Sequence, residues 1–173
     1  RLLAHPLVEE VSIHRRFPNA LLLRVTEVEP VGLVPNPTLV PVDAHGRILP
    51  IDPVAHKLDL PVMLVEGHEE SAESAPAGLR ILASEVQRLV QGDPDLSTRI
   101  SDLSVSPRGD VRARLSDPPV TLRFRPGVRN GRIDTGLRVF ADVRERFQTG
   151  DPVDVDLRFD GQVVVRLAGA EGS

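Results

Sequence analysis

Cysteine is absent from the 173-residue chain, so disulfides, thiolate nucleophiles and thiolate metal sites are excluded together, and the redox compartment is left open. Tryptophan and tyrosine are also missing, and the aromatic complement is Phe17, Phe124, Phe140, Phe147 and Phe159. A stacking platform for bases or sugars cannot be assembled from so little, and several of these rings fall in apolar patterns that predict core packing. Basic residues are in no excess: 21 Lys and Arg are scattered among 25 Asp and Glu, for a formal charge of −4. The electrostatic footprint of a nucleic-acid binder is therefore lacking, and nucleic acid is not an expected partner. No apolar run reaches the length of a membrane span, and no secretory leader opens the sequence.

What is present is globular in composition, with 40% hydrophobic and 27% charged residues. Residues 11–16 alternate, Pro18-Asn19 make a turn, and residues 20–28 alternate again with Leu21, Leu23 and Val25 on one face, which predicts a hairpin. Pro30, Pro35 and Pro37 follow, and their missing N–H groups predict a stiff junction between two units. Residues 39–42 and 47–51 flank Asp43-Ala44-His45-Gly46, a second expected hairpin. An apolar run at 60–65 reads as a strand and the acidic stretch 66–76 as a loop. Leu79, Leu82, Val86, Leu89 and Val90 recur three or four apart before Gly92, which predicts a helix over 79–91.

Three strands are then expected at 100–106, 111–115 and 120–124, with turns at Pro107-Arg108-Gly109-Asp110 and Asp117-Pro118-Pro119. Asp134 is placed to cap a second helix whose stripe is Leu137, Phe140, Val143 and Phe147, stopped by Gly150 and Pro152. The end of the chain reads as a hairpin from Val153 to Leu167 about Asp160-Gly161, with Val155, Leu157 and Phe159 on one face and Asp154, Asp156 and Arg158 on the other. The order predicts an α+β fold: an incomplete hairpin unit followed by a mostly antiparallel β domain with two packed helices. The first unit, with one hairpin, is too small to build a core by itself.

The final strand has no successor in sequence to cover it, so its edge is expected to present unpaired amides and carbonyls to another chain. Val163, Val165 and Leu167 would form one face of that strand, Val164 and Arg166 the other. Charge at Val165 would abolish capture without affecting unfolding if its face is the outward one. Chemistry is less favoured. The histidines, His5, His14, His45, His56 and His68, have no metal-ligand spacing, although Asp43, His45, Asp52, His56 and Asp59 cluster in a way that a small hydrolase could use. A turn aspartate and solvated loops explain the same residues. The path Arg123, Arg125, Arg129 and Arg132 reads as a solvated face paired with nearby acids, or as a holder of phosphate or an acidic partner.

The segment from Leu3 to Leu21, the step Val28-Glu29-Pro30-Val31, the stretch Leu39-Val40-Pro41-Val42-Asp43-Ala44-His45-Gly46-Arg47-Ile48-Leu49, then Leu60-Pro61-Val62 and finally Val155-Asp156-Leu157-Arg158-Phe159-Asp160-Gly161 occur in an order that resembles the FtsQ/DivIB family of bacterial cell-division proteins. Glu29 departs from the basic residue usual there. The resemblance implies residues 1–35 as the C-terminal part of a POTRA domain, 36–168 as the family's β domain and 169–173 as a disordered tail. It implies a non-catalytic scaffold without cofactor or metal on the extracytoplasmic face of the inner membrane, anchored by a transmembrane helix upstream of this chain. The partners would be FtsB- and FtsL-type membrane-anchored division proteins. Carried over position by position, it implies partner contacts at Arg108, Phe159, Gln162, Val163, Val164, Val165, Arg166 and Leu167, with Arg108 pairing an acidic residue on FtsB. A POTRA-bearing module of protein secretion or outer-membrane assembly would also bind strands and is the nearest rival.

Overall fold

A computed structural model describes residues 5–67, 76–147 and 153–167. The strands and helices in chain order are β1 (Val8–Arg16), β2 (Ala20–Glu27), β3 (Pro30–Asn36), β4 (Thr38–Asp43), β5 (Val62–Val65), α1 (Pro76–Gly92), α2 (Pro94–Arg99), β6 (Ile100–Val105), β7 (Val111–Leu115), β8 (Val120–Phe124), α3 (Asn130–Phe147), β9 (Val153–Asp156) and β10 (Val164–Leu167). The architecture is α+β. β1 and β2 form a separate two-stranded sheet, and the other strands form one eight-stranded sheet in the order β10-β9-β8-β7-β6-β5-β3-β4. Most neighbours are antiparallel, while β3–β5, β5–β6 and β8–β9 are parallel.

Period-two alternation explains why one face of this sheet is dry. Leu103, Ala113, Leu122 and Val155 lie side by side across β6, β7, β8 and β9, all buried, and Val165 of β10 continues the row. α1 covers the β3, β5 and β6 part of that face with Leu79, Leu82, Val86 and Leu89. α3 covers the β9 and β10 part with Ile133 and Phe140. Gly136 lets α3 come close, because a Cβ there would stand 2.8 Å from Leu157 Cδ2. The opposite face carries Asp102, Arg112, Arg114, Arg123 and Asp154 and is polar.

Several sequence expectations change. The proline segment is not a junction but strand β3. Leu33 N–H donates to Pro61 O at 2.9 Å on the β5 side, so by alternation Pro35 turns its missing N–H to that side too, beyond the single β3–β5 pairing at Leu33. The hairpin expected at 39–51 keeps its turn, with Asp43 N–H donating to Arg47 O and Leu49 N–H to Pro41 O around the single bridge Val42 to Ile48, and extends no further because Pro41 has no N–H to give on that side. α3 begins at Asn130, so Asp134 lies inside it rather than capping it. The turn at 125–129 starts the helix early, with Arg132 N–H already bonded to Arg129 O, and the stripe shifts so that Phe147 is 65% exposed. Phe17 and Phe159 are exposed as well, leaving Phe124 and Phe140 as the core rings. α2 was not expected. The loop beyond Gly67, the helix stop at Gly150 and Pro152, and the tail at 169–173 lie outside the described residues.

Candidate functional site

β10 is the last strand of the sheet, and among the described residues it is bonded on one side only, to β9. Its register is Val164 opposite Asp156, Val165 opposite Val155, Arg166 opposite Asp154 and Leu167 opposite Val153. Which main-chain groups remain outward follows from the neighbouring strand. Leu157 N–H donates to Arg123 O at 2.7 Å, so Val155 and Leu157 turn their peptide groups toward β8, and Asp154 and Asp156 turn theirs toward β10. Val164 and Arg166 therefore spend their peptide groups on β9. Val165 and Leu167 direct theirs to the open rim.

Side chains divide differently. Val163 and Val165 pack against the core under α3, whereas Val164 and the exposed Arg166 stand on the polar face. The sequence condition for a charge at Val165 is thus not met: its side chain faces inward, and a charge there would disturb the sheet itself. Val164 and Arg166 are the positions open to side-chain tests.

The strands do not run to the Asp160-Gly161 turn. β9 ends at Asp156 and β10 starts at Val164, leaving a loop at 157–163 in which Gly161 takes a φ of +73°. Two arginines hold this loop. Arg132 of α3 donates through Nη2 to the carbonyl oxygens of both Phe159 and Gln162. Arg158 donates through Nε and Nη2 to Asp156 at 2.9 and 2.6 Å and through Nη1 to Asp110 at 2.7 Å. The Arg158 guanidinium hydrogen bonds, together with the Arg158 amide and the charges of Arg158 and Arg166, hold the buried Asp156 carboxyl below its ordinary 3.8 despite burial, which pushes the other way. Arg158 is raised in turn, by its bond to Asp156 and then by Asp110.

Asp110 closes the turn that carries Arg108, so Arg158 ties that turn to the loop before β10. Arg108, Arg112, Arg123 and Arg158 line one cavity of about 310 Å³ together with Glu66 and Asp110. Arg108 is exposed at its lip. Phe159, 49% exposed, lies under the Arg158 guanidinium at 5.9 Å. Of the predicted contact residues, the structure thus strings Val163, Val164, Val165 and Arg166 along one rim, with Phe159 and Gln162 in the loop before it and Arg108 connected through Asp110 and Arg158. Leu167 ends the strand. Sequence reasoning missed Arg132 as a brace and missed Asp110, since neither has a local motif; the Asp156-x-Arg158 spacing was the one available signal.

The acid and histidine cluster near residue 43 is dispersed. Asp43, 2% exposed, accepts from His45 N–H and Arg47 N–H, both at 2.9 Å, and from Arg47 Nε at 2.6 Å. Burial raises its pKa, but the amides of Arg47 and His45 and the Arg47 guanidinium outweigh that and keep it low. It is a turn aspartate. Asp43, His45 and Asp59 line a groove of about 550 Å³ between β1–β2 and α1, whereas His56 bonds to Asp52 in a separate exposed turn and does not join them. Of the arginine path, Arg123 pairs with Asp154 at 2.6 Å and Arg132 serves the loop. Among the described residues no group of acids and histidines is arranged to hold a metal ion, and no helix is long and apolar enough to cross a membrane.

The chain is 26% identical to the cell division protein FtsQ of Koribacter versatilis over 92% of its own length and 47% of that protein. It is 28% identical to the FtsQ of Salinibacter ruber, covering 99% of this chain and 69% of the relative, and 22% identical to that of Geotalea daltonii, covering 94% and 59%. The chain thus spans about half of the first relative's length. The family model "Cell division protein FtsQ/DivIB, C-terminal" matches residues 33–158, which takes in the sheet from β3 through β9. The chain belongs to the FtsQ/DivIB family of bacterial cell-division proteins.

Proposed function

We propose that the chain is a non-catalytic extracytoplasmic scaffold that captures FtsB- and FtsL-type partners by adding one of their strands to β10 during septum formation. The observation that carries this reading is the rim itself: outward peptide groups at Val165 and Leu167, on a strand that among the described residues is bonded on one side only. Main-chain hydrogen bonds supply affinity in strand addition, and alternate side chains supply selectivity. Arg108 contributes as an exposed cation on the neighbouring turn. Phe159 offers a partly exposed ring beside it.

The β1–β2 hairpin fits the part of a POTRA domain. Ile13, Leu21, Leu23 and Val25 are between 40 and 74% exposed, an apolar face that a complete POTRA core would cover. β3 enters the large sheet at Pro30, which supports reading the division between the two units at Val28 to Pro30 in place of residue 35. An upstream membrane anchor completes the proposal.

Strand addition has a period-two signature. Val165→Pro removes an outward N–H, while Arg166→Pro removes one bonded to β9. In titrations with the extracytoplasmic segment of the FtsB-type protein from the same genome, Val165→Pro is expected to lose capture and keep the fold, and Arg166→Pro to lower the melting temperature. Capture unaffected by Val165→Pro would overturn the proposal.

A further inference from the structure

On the polar face, a row of side chains crosses the sheet and ends at Arg166. Asp102 stands beside Arg114, Arg114 beside Thr121, Thr121 beside Asp154, and Asp154 beside Arg166. The signs alternate around one neutral residue. Asp102 contacts Arg114 at 3.7 Å, and Asp154 is taken diagonally by Arg123 at 2.6 Å. Arg166 is exposed and has no ion pair among the described residues. On the other face the parallel row is apolar throughout and ends at Val165.

Any strand that extends the sheet continues both rows. It sets one side chain beside Arg166 and others, on the alternate face, beside Val163 and Val165. Docking also strips water from one side of the Arg166 guanidinium, whose nearest strand partner, Asp154, is already engaged. A carboxylate at the adjoining position offsets that loss, an apolar residue leaves it uncompensated, and a cation adds repulsion. Resting on the strand-addition reading, we propose that Arg166 is its specificity determinant, selecting a docking strand with an acidic side chain beside it and apolar side chains on the alternate face.

The test is a charge swap. Each acidic residue of the FtsB-type extracytoplasmic segment is changed to Lys in turn and titrated against the wild-type chain, Arg166→Glu and Arg166→Gln. One acidic position should lose about fivefold in affinity against wild type when it becomes Lys, recover against Arg166→Glu, and be indifferent to charge against Arg166→Gln. Arg166→Gln keeps the test decisive if Glu beside Asp154 impairs folding. Affinity unchanged by both Arg166 substitutions, or the absence of any rescuing position, overturns the proposal. If Val165→Pro still loses capture in that case, strand addition survives and only the charge selection fails; if Val165→Pro also binds normally, both fail.

Discussion

At one rim of the large sheet, β4 carries Pro41, whose carbonyl accepts Leu49 N–H at 2.8 Å while Val42 bridges to Ile48. At the other rim, β10 has no proline, and among the described residues no segment bonds to its outer side. Proline on the outward side of an edge strand leaves nothing for a visiting strand to accept from, and the 44–51 segment lies over what remains. β10 has instead been stiffened from behind: Arg132 fixes the loop carbonyls before it, and Arg158 ties that loop to Asp110. Among the described residues one rim is thus covered in part, and the other is braced from behind and bonded on its inner side alone.

Four substitutions sharpen that contrast, in descending order of expected effect. Asp43→Ala removes the acceptor that folds residues 44–47 over the β4 rim. It should cost about 3 kcal/mol, or about 9 °C in melting temperature, and uncover the closed rim, read as concentration-dependent association by light scattering. A D43A variant that stays monomeric with unchanged melting would mean that Pro41 alone guards that rim. Asp156→Asn breaks the buried partnership with Arg158 and should cost about 2 kcal/mol by denaturant titration.

That second variant also has a pH signature. The folded Asp156 carboxyl is held below its ordinary 3.8, so its contribution is complete above that value and is lost as pH falls through the lower folded value. The stability gap between wild type and D156N should therefore be constant above about pH 5 and narrow below about pH 4. A gap that widens on acidification would contradict the assigned sign. Arg132→Ala is expected to cost only about 1 kcal/mol, because its bonds are exposed. It should nevertheless speed amide exchange across 159–163 and weaken partner capture. Leu39→Pro, at the outer end of β4, should leave capture unchanged, and loss there would erase the distinction between the rims.

The elements with strong periodicity were legible in the sequence: α1 from its apolar spacing, β6 to β8 from alternation and turns, and the terminal strand pair within the hairpin read from Val153 to Leu167. The rest was hidden for identifiable reasons. β3 was obscured by Pro30, tolerated as the first residue of the strand beside a register shift with β4, and by Pro35, tolerated because pairing with β5 is limited to Leu33, both tertiary facts. α2 has six residues, too few for a pattern, although Asp93 accepting from Leu96 N–H ahead of Pro94 is a cap that could have been read. The site was legible as the last strand signal among these residues. Its outward peptide groups were not, since they depend on which way β9 faces β8, and the braces Arg132 and Asp110 lie 30 and 48 residues from their partners Gln162 and Arg158.

Hydrogen exchange of the β10 amides, with and without the FtsB-type extracytoplasmic segment, measures the open rim most directly. In the free chain Val165 N–H should exchange fast beside slower Val164 and Arg166, and the bound segment should slow Val165 while leaving β4 unchanged. Strong protection of Val165 in the free chain, or a footprint that falls on β4, would contradict the account.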